Sequence, residues 1–489
     1  MACLIGLDIG TTSTVGILIR MPDQMLGLAS RPVELRSPEP GWAEEDPGQW
    51  WSNAAAIIRE LLGTCGVAPE EVIGLGAAGM LPAVVLLDLD GRLLRPSIQQ
   101  SDGRCSAEIG ELRDEVGEEA FISRTGNGIN QQLVTGKLRW IERHEPEIFG
   151  RIATVFGSYD YVNWRLTGER VIEENCALEA GFMDIAKRTI CDDLVALAHV
   201  PPSSLPRVVA SHAIIGRVTR RAAAETGLAE GTPVMGGAAD LVASALAAGV
   251  QRAGDVLLKF GGSIDVLTAS DRIAPDPRMY IDFHLIPGLY LPNGCMATGG
   301  SALNWFAASF AGGRSLAQLD GLARAVPAGS AGVAVLPYFL GEKTPVHDPE
   351  ARGIIAGLSL SHGMGHLWRA LLEAYAYAIV HHVEVLNEMG HATDRFTVSD
   401  GGSNSDAWMQ IVADVLQRPL RRLSGHPGSC LGAAWAAAMG AGAAAGWAGI
   451  SAFVRDRDTI EFNPRNARVY EKGYRAFREL YRGPPARAV

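Results

Sequence analysis

The sequence predicts an α/β protein of two domains with a ligand cleft between them, and three observations carry that reading. First, 489 residues exceed the size at which a single hydrophobic core usually keeps growing. Second, strand-like and helix-like segments alternate along the chain. Third, the strand-turn-strand plan of residues 4–19, LIGLDIGTTSTVGILI, returns about half the chain later at residues 257–270, LLKFGGSIDVLTAS. With Gly10 set against Gly261, Leu7-Asp8-Ile9 falls on Leu258-Lys259-Phe260. Even the polar residue of the first strand recurs, as two facing domains of one plan would require.

The elements follow in order. Residues 4–19 place two apolar runs around Gly and hydroxyl residues, the pattern of a β-hairpin. An ordinary hairpin has no need of Asp8 inside its first strand. GWAEEDPGQWWSNAAAIIRELLGT then supplies Asp46 as N-cap, Pro47 at the first helical position and Trp50, Ala54, Ile57, Ile58 and Leu61 at helical spacing. A strand is expected over 72–77, a hairpin turning at Asp90-Gly91, and helices over 132–144 and 159–166.

Composition bounds the function. Lys+Arg of 43 against Asp+Glu of 54 gives a net charge of −11, and no long basic run appears, so a general nucleic-acid binder is not expected. The seven cysteines are scattered and never spaced C-x-x-C. Neither a zinc knuckle nor a disulfide framework is indicated, and a reducing, cytoplasmic location fits. The chain enters an apolar strand without a charged leader, so no signal peptide is expected. Residues 430–454, CLGAAWAAAMGAGAAAGWAGISAFV, are uncharged and long enough to span a bilayer. They are mostly Ala and Gly, which supply little transfer energy, so a closely packed buried helix is the reading.

A G-x-G-x-x-G occurs at Gly74, Gly76 and Gly79, but it runs into Met80-Leu81-Pro82 where a dinucleotide fold would open a helix. The Walker pattern is absent. Three Gly-plus-hydroxyl segments remain: Gly10-Thr11-Thr12-Ser13, Gly261-Gly262-Ser263 and Gly401-Gly402-Ser403-Asn404. Unhindered amides and hydroxyls of the first two could close on phosphate from opposite sides. The third lies before a helix expected near Ser405, where a missing side chain lets a ligand approach the backbone. Asp8, beside the first turn, could hold Mg²⁺, an ion that keeps several waters and takes few protein ligands, or it could cap the turn.

With DIGTTS, KFGGS, GGAADLVASALAAG (236–249), PYFLGEKTPVHDPEARGIIAGLSLSHG (337–363) and DGGSNSDAWMQIVADVLQRPL (400–420) in this order, the chain resembles the FGGY carbohydrate kinases over nearly its whole length, as a pentulose- or xylulose-kinase-like member. The resemblance implies two ribonuclease H/actin-like ATPase domains with an inter-domain active-site cleft. Residues 1–247 would form the sugar-binding domain with the first phosphate loop, and 248–489 the nucleotide-binding domain. It implies ATP with its phosphates near Thr11, Thr12, Gly262 and Ser263, in turns that also contain Ser13 and Gly261. Adenosine would lie near Gly401, Gly402 and Asn404, Mg²⁺ at Asp8, and Asp240 would act as general base. GWAEEDPGQWW and SIQQSDGRC (97–105) resemble substrate segments, which implies Trp42, Gln100, Asp102 and Arg104 at the sugar.

Three departures matter. Members acting on xylulose usually carry Gln-Met-His where this chain has Met80-Leu81-Pro82. A basic residue is common where Val15 stands, and Lys259 could supply that charge instead. Glu342-Lys343 replaces the usual Glu-Arg, and the two cations offer different geometry. The expected reaction is therefore phosphorylation of a small ketose, such as a pentulose, or of a polyol. A kinase for glycerol, a hexulose or a deoxy-sugar, an actin- or chaperone-like ATPase switch and a sugar sensor are the alternatives. No nucleic-acid or membrane partner is expected, and a homodimer is compatible with the sequence.

Overall fold

A computed structural model describes residues 2–426 and 428–482. The first half builds a seven-stranded sheet from β1 (Cys3–Ile9), β2 (Ser13–Arg20), β3 (Gln24–Pro32), β4 (Val72–Gly79), β5 (Ile214–Arg217) and β6 (Pro233–Met235), in the order β5-β6-β4-β1-β2-β3, with the short strand Ala238–Ala239 also on β4. The second half builds another seven-stranded sheet from β7 (Gly254–Phe260), β8 (Ile264–Thr268), β9 (Tyr280–Phe283), β10 (Tyr290–Cys295), β11 (Thr393–Ser399), β12 (Leu420–Leu423) and β13 (Asp456–Ile460), in the order β9-β10-β8-β7-β11-β12-β13.

The two sheets share one plan. Each opens with an antiparallel hairpin, β1-β2 or β7-β8, whose second strand takes another antiparallel partner. Each first strand has a parallel partner on its other side, β4 or β11, followed by a second parallel and then an antiparallel strand. The register sharpens the sequence alignment: Asp8 faces Val15 across the first hairpin, and Lys259 faces Asp265 across the second. At equivalent positions the two hairpins therefore carry opposite charges.

α1 (Pro47–Cys65) starts where the sequence places it, because the Asp46 side chain accepts from Gly48 N and Pro47 needs no partner for an amide it lacks. Its residues Trp50, Ala54, Ile57, Ile58 and Leu61 are buried. The helix expected over 132–144 begins later, at Val134–His144, since the Asn130 side chain takes the Gln132 amide and holds a turn there. The hairpin expected at Asp90-Gly91 closes as a short one, with Asp88 N on Arg92 O and Leu94 N on Leu86 O, both at 3.0 Å, while Val85–Leu87 takes Thr154–Phe156 as its strand partner.

Two helices lie between the sheets, α2 (Asp240–Ala247) and α3 (Ser429–Gly440). One buried cluster joins them to both sheets: Leu4 and Ile17, Leu257 and Leu267, Val242 and Leu246, Leu431 and Trp435. Small residues permit the close approach. A Cβ on Gly6 would collide with the Cys430 carbonyl, one on Gly76 with that of Ala433, and one on Gly432 with that of Ala243. The G-x-G-x-x-G thus lies inside β4 and serves helix-on-sheet packing. The apolar stretch 430–454 divides into α3, a turn and the short 3₁₀ segment Trp447–Phe453. Among the described residues no helix is long and apolar enough to cross a membrane.

Candidate active site

Both inter-sheet helices begin at the same place. Asp240 is the first residue of α2 and Ser429 the first of α3, and both face Asp8 at the end of β1. Asp8 Oδ1 is buried without a hydrogen-bond donor. Burial raises the Asp8 carboxyl above the usual range, against the pull of Ser429 and Lys259. Asp240 is pushed up to about 7, first by burial and then by the Asp8 charge, with Lys259 opposing. Burial alone would discharge Lys259, but Asp265, Asp400, Asp240 and Asp8 outweigh it and hold the ammonium charged. Proton-accepting capacity and positive charge are thus concentrated between the two hairpin turns.

The turns flank this core. In the first, Gly10 N donates to Ser13 O at 3.1 Å, and Thr11 Oγ1 meets Met80 Sδ at 3.4 Å. Thr12 is exposed, and Thr11 and Ser13 are partly so. In the second, a Cβ on Gly262 would meet nothing within 4 Å, so its backbone is open to a ligand. The helix Gly300–Phe310 packs beneath it, with Gly300 N on Gly261 O at 2.9 Å and Ser301 Oγ on Gly262 O at 2.7 Å.

Beside the second turn lies a cavity of about 730 Å³ walled by Phe260, Leu303, Leu316, Trp368, Leu372 and Trp408. Gly261, Gly262, Gly401, Gly402 and Asn404 line it as well, so the structure gathers these predicted residues around one space. Its size and its few polar groups on an apolar wall suit a nucleoside. Asp400 enters this loop at φ 68°, a left-handed conformation unusual for a residue with a side chain. Sequence reasoning missed the opposite wall, Gly300, Ser301, Asn304 and Asp320. The signal was present, because Gly299-Gly300-Ser301 repeats the Gly-Gly-Ser of the other two segments. The long block 337–363 acts from behind: Glu342 accepts from Ala297 N at 2.7 Å, and Thr344 bonds the Cys295 amide at 2.7 Å, bracing the chain between β10 and the Gly300–Phe310 helix.

The proposed sugar residues form a separate network. The Arg104 side chain is fully buried, 3.8 Å from the Trp42 ring centre and 4.9 Å from that of Trp140. It pairs with Asp102 at 2.7 Å and Glu44 at 2.8 Å. Asp102 is fully buried too, with Ala43 N and Arg104 on its oxygens. Asp102 and Arg104, both expected at the acceptor, are thus bound to each other. Trp42 covers Arg104 and is partly exposed, as is Gln100. Lys137, which sequence reasoning passed over, completes the network from below by donating to Gln99 O at 2.7 Å. Replacing Arg104 by Ala would take the guanidinium from the fully buried Asp102 carboxylate, while Glu44 keeps Arg95, and thermal unfolding should report a loss of about 3–5 kcal/mol. Unchanged stability with a raised KM for the acceptor would return Arg104 to the acceptor site.

Two equivalent hairpins closing on a carboxylate-lysine core, next to a nucleoside-sized cavity, define a two-domain phosphotransferase of the actin-like ATPase fold. The chain belongs to the FGGY family of carbohydrate kinases, whose N-terminal domain profile matches residues 3–247 and whose C-terminal domain profile matches residues 282–441. The fold superposes on the crystal structure of xylulose kinase from Rhodospirillum rubrum with a TM-score of 0.94 and 59% identity, covering 98% of each chain. The sequence is 31% identical over 433 residues to a xylulose kinase of Escherichia coli (strain K12), covering 88% of both. It is 30% identical over 449 residues to the L-xylulose/3-keto-L-gulonate kinase of the same organism, covering 90% of this chain and 88% of that one. The protein is a carbohydrate kinase.

Proposed function

We propose that the chain transfers the terminal phosphoryl group of ATP to a hydroxyl of a small ketose, with a xylulose-type pentulose as the first candidate and Asp240 as general base. The observation that carries this reading is the position of Asp240, the first residue of the inter-sheet helix α2, directly after the short strand Ala238–Ala239 on β4; burial then pushes its carboxyl up to about 7. A base poised near neutral pH is what a hydroxyl nucleophile needs.

Asp240 takes the proton of the acceptor hydroxyl as that oxygen attacks the terminal phosphorus. The amides and hydroxyls of Thr11, Thr12, Ser13, Gly261, Gly262 and Ser263 hold the phosphates, and Gly401, Gly402 and Asn404 face the adenosine. Lys259 offsets the charge that the transferring oxygens carry. The orphaned Asp8 Oδ1 fits Mg²⁺, which, when bound, neutralises phosphate charge. No group of three or more metal-ligating side chains gathers among the described residues, so a bound ion here would keep most of its waters. Residues 1–247 would carry the acceptor and the first turn, and 248–489 the nucleotide.

The two Escherichia coli relatives differ in the acceptors their names carry, so the test is a panel. ADP release is coupled to oxidation of NADH and followed with D-xylulose, L-xylulose, other ketoses, polyols and keto-sugar acids. We expect at least one ketose to stimulate ADP release more than 10²-fold over the acceptor-free rate. A flat response across the panel would overturn the reading.

A further inference from the structure

A second cavity, of about 680 Å³, crosses the junction between the halves, and the mechanism above does not use it. The first half lines it with Glu174, Arg188, Asp192, Arg207 and His212, and the turn joining β9 to β10 adds His284 and Leu285. It lies at the opposite ends of α2 and α3 from Asp240 and Ser429. A Cβ on Gly440, the last residue of α3, would collide with the His212 carbonyl. His284 Nε2 meets the carbonyl of Val250, just beyond the end of α2, at 3.0 Å. At about 1.5 Å per residue, α2 and α3 put roughly 12 and 18 Å between the cavity and the catalytic end.

Several of the polar groups here already have partners. Asn175 exchanges both amide hydrogen bonds with Phe283, at 2.7 and 3.0 Å, which fastens the first half to the edge of β9. The Arg188 guanidinium lies over the Phe283 ring, 4.3 Å from its centre, and its Nε donates to Glu174 Oε2 at 3.1 Å. His284 Nδ1 accepts from Ile286 N at 3.0 Å, so both nitrogens of that ring are spent on backbone. Other groups remain open. Among the described residues, no hydrogen bond or ion pair engages the side chains of Thr189, Asp192, Arg207 or His212. His212 only sets its ring edge to face against Trp447, centres 5.7 Å apart.

We propose that this cavity is a binding site for a phosphorylated sugar, separate from the catalytic centre, and that its occupant restrains movement between the halves. The open groups select the ligand: Arg207 and His212 donate to a phosphate, while Asp192 and Thr189 accept from hydroxyls. Ile190, Leu205 and Leu285 give its carbon skeleton an apolar wall, and the volume is that of a small-molecule site. A free sugar would leave the Arg207 charge unmatched, and bare phosphate would leave Asp192 and the apolar wall unused. A ligand touching both walls fixes their separation, and a kinase whose cleft opens and closes in each cycle is then slowed.

The test titrates the ADP-saturated protein calorimetrically with D-ribose 5-phosphate and D-fructose 6-phosphate, and in parallel with D-ribose, inorganic phosphate and AMP. A sugar phosphate should bind at one site with a Kd of roughly 1 mM or tighter. Arg207→Ala and Asp192→Ala should each weaken it about tenfold, the loss of one charge-assisted contact. Without sugar phosphate, Arg207→Ala should turn over like wild type. With it, at saturating ATP and acceptor, wild-type kcat should fall about threefold or more while Arg207→Ala holds its rate. Absence of sugar-phosphate binding would overturn the proposal, as would binding that survives both substitutions, which belongs to the catalytic cleft. AMP or inorganic phosphate bound as tightly as the sugar phosphates would overturn the ligand class. A wild-type kcat indifferent to bound sugar phosphate would overturn the restraint on the halves.

Discussion

Asp240→Asn should lower kcat by at least 10²-fold while leaving the KM for ATP within about twofold, because it removes the proton acceptor and preserves the shape of the site. The coupled ADP assay reads both parameters. The pH profile supplies a second signature. As the proposed base, Asp240 must be ionised, and burial followed by the Asp8 charge pushes it up to about 7. Wild-type kcat/KM should therefore climb as pH rises through about 7, and the variant should lack that limb.

Stability should move the opposite way. A carboxyl whose folded pKa lies above its unfolded value of 3.8 contributes stability below that value, and the contribution is lost as pH rises through about 7. Above pH 7 the ionised Asp240 is a burden on the ligand-free fold, one that Asn does not carry. Thermal unfolding at pH 8 should thus find Asp240→Asn more stable than wild type, and at pH 4 the gap should close. An inactive variant that is also less stable at pH 8 would mean that its amide disrupts the helix start, and the assignment of Asp240 as base would lose its support.

What could be read from the sequence was local. The hairpins at 4–19 and 257–270 carry their own turn chemistry, and an Asp or Lys within an apolar strand marks itself. The Ala-Gly segment was legible as a packed helix because close packing and weak hydrophobicity have one compositional signature. The fate of polar side chains was less legible. Asp102 and Arg104 are two residues apart, and nothing in that spacing says whether they face a sugar or each other. In the fold they pair beneath Trp42 and Trp140, and Trp140 comes from a helix far along the chain. Asn127 and Asn175 of the first half exchange amide hydrogen bonds with Ile281 and Phe283 at the open edge of β9, a junction that no local pattern announces.

Lys259→Met should cost about 10²–10³-fold in kcat, the range seen when one preorganised charge donor is removed from a transition state. The geometry explains why so much rests on one side chain. The first hairpin places the carboxylate of Asp8 opposite apolar Val15, and the second places Lys259 opposite Asp265. The second half therefore supplies the cation that both turns share, and Asp265, Asp400, Asp240 and Asp8 hold it charged despite its burial. Without it, those carboxylates face each other and the incoming phosphates uncompensated. The ligand-free variant should unfold at a lower temperature than wild type, and millimolar Mg²⁺ should recover more of that loss than it adds to wild type, since the ion replaces the missing charge. Lys259→Arg should restore stability better than rate, because a planar guanidinium keeps the charge but not the compact ammonium geometry. A Lys259→Met enzyme with wild-type kcat and KM for ATP would show that phosphate charge is met elsewhere, and the division of labour between the two hairpins would then have to be redrawn.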